Sequence, residues 1–256
     1  MPRPPEIRIV DESQAAAQAA ALVLEVGQEA LRTKGRFFIA LSGGTTPKTL
    51  YRALASPAFA DRLDWSRALF FFSDERCVPP NDPRSNYALA DKTLFAPLQI
   101  TPDQIYRMAG ESPDPQAAAH EYERQLCRAT NTSPSSQPTL DLVLLGLGED
   151  GHTASLFPGS PALQDNRSLI AVTQSPKDPP IRLTMTLGVI NQASVILFLV
   201  VGAGKAGVVR AILNPKTEAE RKLPASLVAP EDGRLIWHLD RAAASELREH
   251  RQSTSA

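Results

Sequence analysis

The chain has 256 residues, with 27 lysines and arginines against 28 aspartates and glutamates. This length is enough to bury a sizeable core, and the balanced charge argues against a general electrostatic grip on nucleic acid or on an anionic membrane. The two cysteines, Cys77 and Cys127, are too few for a disulfide framework and are not grouped as zinc ligands are, which favours a reducing compartment without a structural metal.

The first part of the chain predicts a helix, a strand and a second helix. Residues 13–34 are rich in Ala, Leu and Glu, carry apolar residues at helical spacing, and stop before Gly35 as a helix with a C-terminal glycine does. The run "RFFIALSGG" (36–44) is continuously apolar and ends in glycines, as in a strand buried on both faces of a parallel sheet. Pro47 then suits the first turn of the helix "PKTLYRAL".

The same alternation continues towards the C-terminus. Strands are predicted for "ALFFFSDER", "TLDLVLLGLG", "ASVILFLVVGAG" and "GRLIWHLD", and helices for "SNYALADKTLF", capped by Ser85, "KAGVVRAIL" and "RAAASELREH". Alternating strands and helices imply right-handed crossovers. We therefore predict an α/β fold with a mainly parallel sheet and helices on both faces.

Loops, domain limits and targeting segments follow from composition. Loops are expected at 113–115 and 131–138, the second Ser/Pro-rich and mobile. Without an internal repeat or a composition shift, residues 1–256 are interpreted as one domain with a frayed tail at 251–256. The longest apolar run, 193–201, is about half as long as a membrane-spanning helix, and the first ten residues lack a signal peptide's apolar region. We expect a cytoplasmic protein without membrane or nucleic-acid partners.

Four predicted strands end in segments that are unusual for simple turns. They are "SGGTTP" (42–47), "SDERCVP" (73–79), "GLGEDGHTASLFP" (146–158) and "GAGKA" (202–206). Ligands of open parallel sheets bind beyond the carboxyl ends of the strands. We therefore expect these four segments to meet at one crevice.

Two of the segments suit a phosphate group. Gly43 and Gly44 permit close backbone approach, Thr45 adds a hydroxyl, and a helix N-terminus follows. A tight strand-to-helix turn explains the segment equally well, because the Lys-Ser/Thr ending of a P-loop is missing. Lys205 stands where a helix begins and can reach a phosphate, although a solvated lysine is the simpler interpretation.

The other two segments suit proton transfer and charge stabilisation. A neutral His152 can take a proton from water near pH 7 while Asp150 fixes its tautomer; alternatively, Asp150 caps a following helix and His152 belongs to its first turn. The three charges at 74–76 follow three phenylalanines and must be solvated, paired or functional. Meeting at one crevice, the four segments would form a site for a small phosphorylated substrate.

The motifs resemble those of a known family. "ALSGGTTPKTLY", "FFFSDERCVPPNDPRSNY", "DLVLLGLGEDGHTASLFPG", "RLTMTLGVIN", "GAGKA" and "LPASLV" occur in the order and spacing of 6-phosphogluconolactonases, from about residue 36 to 244. The resemblance implies a Rossmann-like α/β fold, similar to that of the glucosamine-6-phosphate deaminase/isomerases. It also implies hydrolysis of 6-phospho-D-glucono-1,5-lactone in the oxidative pentose phosphate pathway, with no metal or nucleotide cofactor and a small sugar-phosphate lactone as partner.

The resemblance also implies roles for individual residues. His152 would be the general base, Asp150 its support and Arg76 the group at the reacting end of the sugar, while Asp74 matches the site loop without a defined role. The residues implied around the phosphate are Gly43, Gly44, Thr45, Arg182 and Lys205.

Two other functions remain open at this point. An amino-sugar phosphate deaminase/isomerase is disfavoured because Phe157 and Arg76 stand where the deaminases carry a glutamate and a tyrosine. A non-catalytic sugar-phosphate sensor is disfavoured because no helix-turn-helix extension or basic patch is visible in the sequence.

Overall fold

The structure, a computed structural model, describes residues 3–132 and 137–247. The strands are β1 (Glu6–Val10), β2 (Phe37–Leu41), β3 (Ala68–Phe72), β4 (Asp74–Arg76), β5 (Leu142–Leu145), β6 (Ile170–Gln174), β7 (Ile181–Met185), β8 (Val195–Val200) and β9 (Arg234–Asp240). The α-helices are α1 (Glu12–Lys34), α2 (Thr45–Leu54), α3 (Asn86–Ala90), α4 (Ala96–Leu98), α5 (Pro115–Ala129), α6 (Leu187–Asn191), α7 (Ala206–Leu213) and α8 (Glu218–Arg221). A π-helical turn at Asp91–Phe95 joins α3 to α4, and 3₁₀ turns lie at Ala60–Arg62, Trp65–Arg67, Pro102–Gln104, Pro161–Leu163, Ala203–Lys205 and Pro224–Leu227.

Six strands form one parallel sheet in the order β1-β9-β8-β5-β2-β3. Alternate residues of its central strands enter two different cores. In β2, for example, Phe37 and Ile39 pack in one core and Ala40 in the other. Because both faces are covered, the strands need no polar alternation, which explains their continuous apolar runs.

Helices cover both faces of this sheet, as predicted. Apolar side chains of α1, α2 and the α3–α4 segment fill the core on one face. Side chains of α5, α6 and α7 fill the core on the other face, together with those of β6 and β7. The predicted α/β, Rossmann-like class is confirmed, and so is the Ser85 cap, whose Oγ accepts a hydrogen bond from the Ala88 N–H at 3.1 Å.

A second sheet was not predicted from the sequence. Strands β4, β7 and β6 pair antiparallel in that order, so "ALFFFSDER" is two strands in two sheets. Ser73 makes the change between sheets: its N–H donates to the Leu41 carbonyl, while its own carbonyl accepts from the Met185 N–H, each at 2.8 Å. The apolar run hides this change because neither residue type nor spacing marks it. β1, at the edge of the large sheet, was also missed.

Neither the helix considered as an alternative after Asp150 nor the predicted helix that begins at Arg241 is formed in the described residues. Residues 146–160 form loops and turns rather than a helix, because the Gly148 N–H donates to the His152 carbonyl at 2.8 Å and closes the chain on itself. Residues 241–247 form turns, with the Asp240 carboxylate accepting from the Ala243 N–H at 2.7 Å. The predicted tail at 251–256 and residues 133–136 of the predicted mobile loop lie outside the described residues.

None of the helices in the described ranges is both long and apolar enough to span a membrane.

Candidate active site

The four predicted segments meet at one cavity of about 440 Å³. This active-site cavity lies at the carboxyl ends of β2, β5 and β8 and beside β4. It is lined by Ser42, Gly43, Gly44, Thr45, Thr46, Pro47, Asp74, Arg76, Gly146, Leu147, Gly148, Glu149, His152, Ala154, Lys177, Leu199, Val200, Val201 and Lys205. The prediction that the four segments meet at one crevice is therefore confirmed.

The N-terminus of α2 forms one wall of the active-site cavity. Its N-cap, Gly44, has φ 108° and ψ 179°, a backbone conformation that is essentially restricted to glycine, and no side chain caps the helix. The N–H groups of the first turn are therefore left for a ligand, and the helix dipole adds positive potential there. Lys205, just before α7, lines the same cavity. The glycine loop (residues 42–46) and Lys205 together suit an anion.

His152 and Asp150 form a hydrogen-bonded pair at the cavity. Asp150 Oδ1 lies 2.5 Å from His152 Nδ1 and accepts from the His152 backbone N–H at 3.2 Å. A carboxylate partner places the ring proton on Nδ1, so Nε2 keeps its lone pair for proton abstraction. The ring packs on Phe157, with centroids 4.7 Å apart.

A glycine makes the pair possible. A Cβ at Gly148 would lie 2.0 Å from His152 Nδ1 and 2.6 Å from Asp150 Oδ1. Any larger residue at 148 would displace the imidazole. The interpretation of Asp150 as a helix cap is excluded, because no helix begins there.

The surroundings of the Asp150 carboxyl favour its ionised form. Burial raises its pKa, but the hydrogen bonds from the His152 side chain and backbone outweigh that effect, and its pKa lies below the ordinary value. Asp150 does not itself line the active-site cavity; it contacts His152 from outside it. This is the geometry of a supporting carboxylate rather than of a group that touches a ligand.

The charged triplet of β4 divides by the two-residue period of a strand. Asp74 and Arg76 line the cavity, whereas Glu75 points to α3. Burial raises the pKa of Glu75, against the opposing effect of its hydrogen bonds. Its carboxylate accepts hydrogen bonds from Arg76 N, Ser85 Oγ, Asn86 N and Tyr87 N at 2.7–2.9 Å. Glu75 therefore has a structural role, and no ion pair within the triplet occurs among the described salt bridges.

Asp74 is held by two side chains whose role the sequence did not reveal. It is only 5% exposed, and its carboxylate accepts from Asn86 Nδ2 at 3.0 Å and from Ser155 Oγ at 2.6 Å. Both partners lie within the quoted motifs, but neither residue type signals chemistry by itself. Lys177, in the loop before β7, is an exposed cation of the cavity wall that was also missed.

Arg182 lies beside Arg76. The two residues are paired across β4 and β7, and Arg182 Nε donates to the Pro179 carbonyl at 2.8 Å. Burial, and then the charge of Arg76, lower the pKa of Arg182. Arg182 is not among the residues that line the active-site cavity.

No cluster of three or more His, Cys, Asp or Glu side chains suited to a metal ion occurs within residues 3–132 and 137–247.

The fold and the cavity define a class of protein: an α/β protein in which an uncapped helix N-terminus and the histidine of a histidine–carboxylate pair line the same cavity. The family described as glucosamine-6-phosphate isomerases/6-phosphogluconolactonase matches residues 10–237, and the chain belongs to that family. The resemblance seen in the motifs is thereby confirmed.

Relatives and solved structures agree with this assignment. The chain is 38% identical to 6-phosphogluconolactonase of Nostoc sp. over 93% of this chain and 95% of the relative. It is 39% identical to a probable 6-phosphogluconolactonase of Schizosaccharomyces pombe over 93% of each. The structure of 6-phosphogluconolactonase from Trypanosoma brucei matches with a TM-score of 0.84 and 28% identity, over 96% of this chain and 100% of that one.

Proposed function

We propose that the protein hydrolyses 6-phospho-D-glucono-1,5-lactone to 6-phospho-D-gluconate, a step of the oxidative pentose phosphate pathway. The main support is one geometric observation: His152, which is hydrogen-bonded to Asp150, and Arg76 line the same cavity as the glycine loop and Lys205. A base, a cation for an oxyanion and a phosphate site are the three elements that hydrolysis of a phosphorylated lactone requires. The named relatives point to the same reaction.

The proposed chemistry begins at His152 Nε2. Nε2 takes a proton from water as the water oxygen attacks C1, and the carbonyl electron pair moves onto the carbonyl oxygen. Arg76 opposes the charge that develops there. When the carbonyl re-forms, the bond from C1 to the ring oxygen breaks, and the ring oxygen takes the proton from Nε2. A general base contributes about 10² to 10⁴ in rate and an oxyanion donor about 10² to 10³.

Asp150 supports His152, and Arg182 supports Arg76. The ionised Asp150 stabilises the imidazolium that exists between the two proton transfers, and it holds the Nδ1 proton in place. Arg182 lies next to Arg76 in the strand pair, so we assign its charge to the reacting end of the sugar. Of the residues first implied around the phosphate, Gly43, Gly44, Thr45 and Lys205 keep that role in this proposal.

Phosphate recognition supplies orientation and selectivity. The free N–H groups of α2, the Thr45 hydroxyl and the Lys205 ammonium would bind the phosphate and hold the lactone ring in register with His152. Lys177 adds a further positive charge to the cavity wall. Unphosphorylated lactones lack these contacts and are expected to be poor substrates.

We place the reaction in the cytoplasm, with the sugar-phosphate lactone as partner. Cys77 and Cys127 are both free thiols, as in proteins of a reducing compartment.

A coupled assay tests the proposal. Freshly generated lactone should be opened faster than its spontaneous rate, with 6-phosphogluconate detected through its dehydrogenase. Glucosamine 6-phosphate, offered in parallel, should release no ammonia. Ammonia release would instead identify a deaminase, and tight binding of 6-phosphogluconate without any turnover of lactone would identify a sensor.

Lys205→Ala should raise KM for the lactone by about 10- to 100-fold, since a hydrogen bond to a charged group contributes about 1.5–3 kcal/mol. Because Lys205 is assigned to the phosphate and not to C1, kcat should change little. Lys92→Ala removes an exposed lysine that does not line the cavity and serves as the matched control. An unchanged KM for Lys205→Ala would remove this residue from the phosphate site.

A further inference from the structure

Asn86 contacts two separate parts of the active site. It is the first residue of α3 and is 1% exposed, and its side chain reaches both Asp74 on β4 and Gly43 in the glycine loop. We propose that Asn86 is a positioning residue that sets the distance between the Asp74 carboxylate and the phosphate site. This inference rests on the proposed lactonase function and adds a residue to its machinery.

The contact with Asp74 fixes the orientation of the amide. Asn86 Nδ2 donates to the Asp74 backbone carbonyl at 2.8 Å and to its Oδ1 at 3.0 Å. Both partners can only accept, so the NH₂ group must face Asp74 and the amide oxygen must face the other way. The Asn86 backbone N–H donates to Glu75 at 2.7 Å. The residue is therefore bound to β4 through both its backbone and its side chain.

The amide oxygen faces the glycine loop. Asn86 Oδ1 is buried and has no hydrogen-bond partner among the described residues. A Cβ at Gly43 would lie 1.8 Å from this oxygen and 2.5 Å from Asn86 Cγ. The amide thus occupies the volume that any side chain at 43 would need. Buried polar atoms are normally paired, so this oxygen is held against the glycine loop by the two hydrogen bonds that the amide nitrogen donates to Asp74.

Gly43 is a glycine for reasons of space. Its φ lies outside the range that strains other residues, in contrast to that of Gly44, so alanine would fit the backbone. The three heavy atoms nearest to a Cβ at 43 all belong to the Asn86 amide. A substitution at 43 can therefore be compensated at 86, which makes the contact testable.

Asp74 transmits the effect to the substrate. Its carboxylate is held at one oxygen by Asn86 and at the other by Ser155, and it lines the active-site cavity. A carboxylate fixed at both oxygens still has lone pairs for a sugar hydroxyl. Asn86 also packs on Gly43, so it keeps the Asp74 carboxylate at a constant distance from the phosphate site. A substrate that binds Asp74 through a hydroxyl and the glycine loop through its phosphate needs this distance to be fixed.

A double-mutant cycle at residues 43 and 86 tests the proposal. Dissociation constants of 6-phosphogluconate are measured by calorimetry, and kcat and KM by lactone hydrolysis. Asn86→Ala should weaken binding and raise KM about tenfold with a smaller change in kcat, whereas Gly43→Ala should weaken binding about a hundredfold. The double variant should bind about as well as Asn86→Ala alone, because without the amide an alanine at 43 fits. Such a rescue of binding in the double variant is expected only if the Asn86 amide contacts residue 43.

Ser85→Ala is the matched control. Ser85 caps the same helix and donates to Glu75 at 2.9 Å without touching Asp74 or Gly43. The change should lower the urea midpoint of unfolding but leave KM and the dissociation constant unaltered. If Ser85→Ala raised KM as much as Asn86→Ala does, loosening of α3 would explain both variants and the positioning role would be overturned.

Two further outcomes separate this inference from the proposed function. Additive losses in the double variant, or a harmless Gly43→Ala, would overturn the role of Asn86 even if the wild-type protein hydrolyses the lactone. The urea midpoints of unfolding of the wild type, the two single variants and the double variant give the same double-mutant cycle without any substrate. A wild-type protein that leaves the lactone at its spontaneous rate would overturn the proposed function instead, and non-additive midpoints would still support the Asn86–Gly43 contact.

Discussion

His152→Ala should lower kcat for lactone hydrolysis by about 10² to 10⁴, the contribution of a general base. The imidazole is the only one that lines the active-site cavity among the described residues, and its Nε2 is left free by the bond from Nδ1 to Asp150. KM should change little, because the phosphate contacts lie on other segments. Initial rates with fresh lactone, corrected for spontaneous opening, provide the measurement.

His120→Ala is the control for the loss of a histidine. His120 lies exposed on α5 and does not line the cavity, so its removal should leave kcat and KM unchanged. Circular dichroism of both variants would exclude misfolding as a cause of lost activity. Full activity in a folded His152→Ala protein would disprove the assignment of the base.

The sequence contained enough information for five of the six strands of the large sheet, β1 at its edge being the exception. Its inner strands are continuous apolar runs because both faces are covered, and this pattern is unambiguous when helices alternate with the strands. The positions of the site segments followed from the same reasoning, since the carboxyl ends of parallel strands share one edge of a sheet. The residues that this reasoning brings together do line the cavity: His152, Asp74, Arg76, Lys205 and the glycine loop.

The small antiparallel sheet could not be predicted in the same manner. β4 is three residues long, and its partner strand lies more than a hundred positions further along the chain. Nothing local marks Ser73 as the point where the chain changes sheets. For the same reason the sequence does not show that Arg182 lies opposite Arg76, because that position depends on a strand pairing that only the folded chain defines.

The supporting residues of the site were the hardest to find. Asn86 and Ser155 contact Asp74 across the fold, and a single asparagine or serine in a sequence has many ordinary explanations. Glu75 is the converse case: the sequence leaves open whether this charge beside two site residues is functional, and its carboxylate binds the N-terminus of α3. Strand alternation in β4 separates these roles, but only once the strand has been recognised.

Asp150→Asn tests the other half of the catalytic pair. Burial raises the pKa of Asp150, but the hydrogen bonds from His152 outweigh it and the pKa lies below the ordinary value. In the wild-type protein the carboxylate therefore stays charged from neutral into mildly acidic solution and holds the proton on His152 Nδ1.

The asparagine variant should lower the height of the pH profile of kcat/KM. The plateau should fall by about 10² or more, because an amide can donate to Nδ1 and so favours the tautomer whose proton is on Nε2. Glu218→Gln changes an exposed carboxylate that does not line the cavity and should leave the plateau intact. An equal plateau for Asp150→Asn and the wild type would mean that Asp150 does not control the tautomer, and His152 would then act without a carboxylate partner.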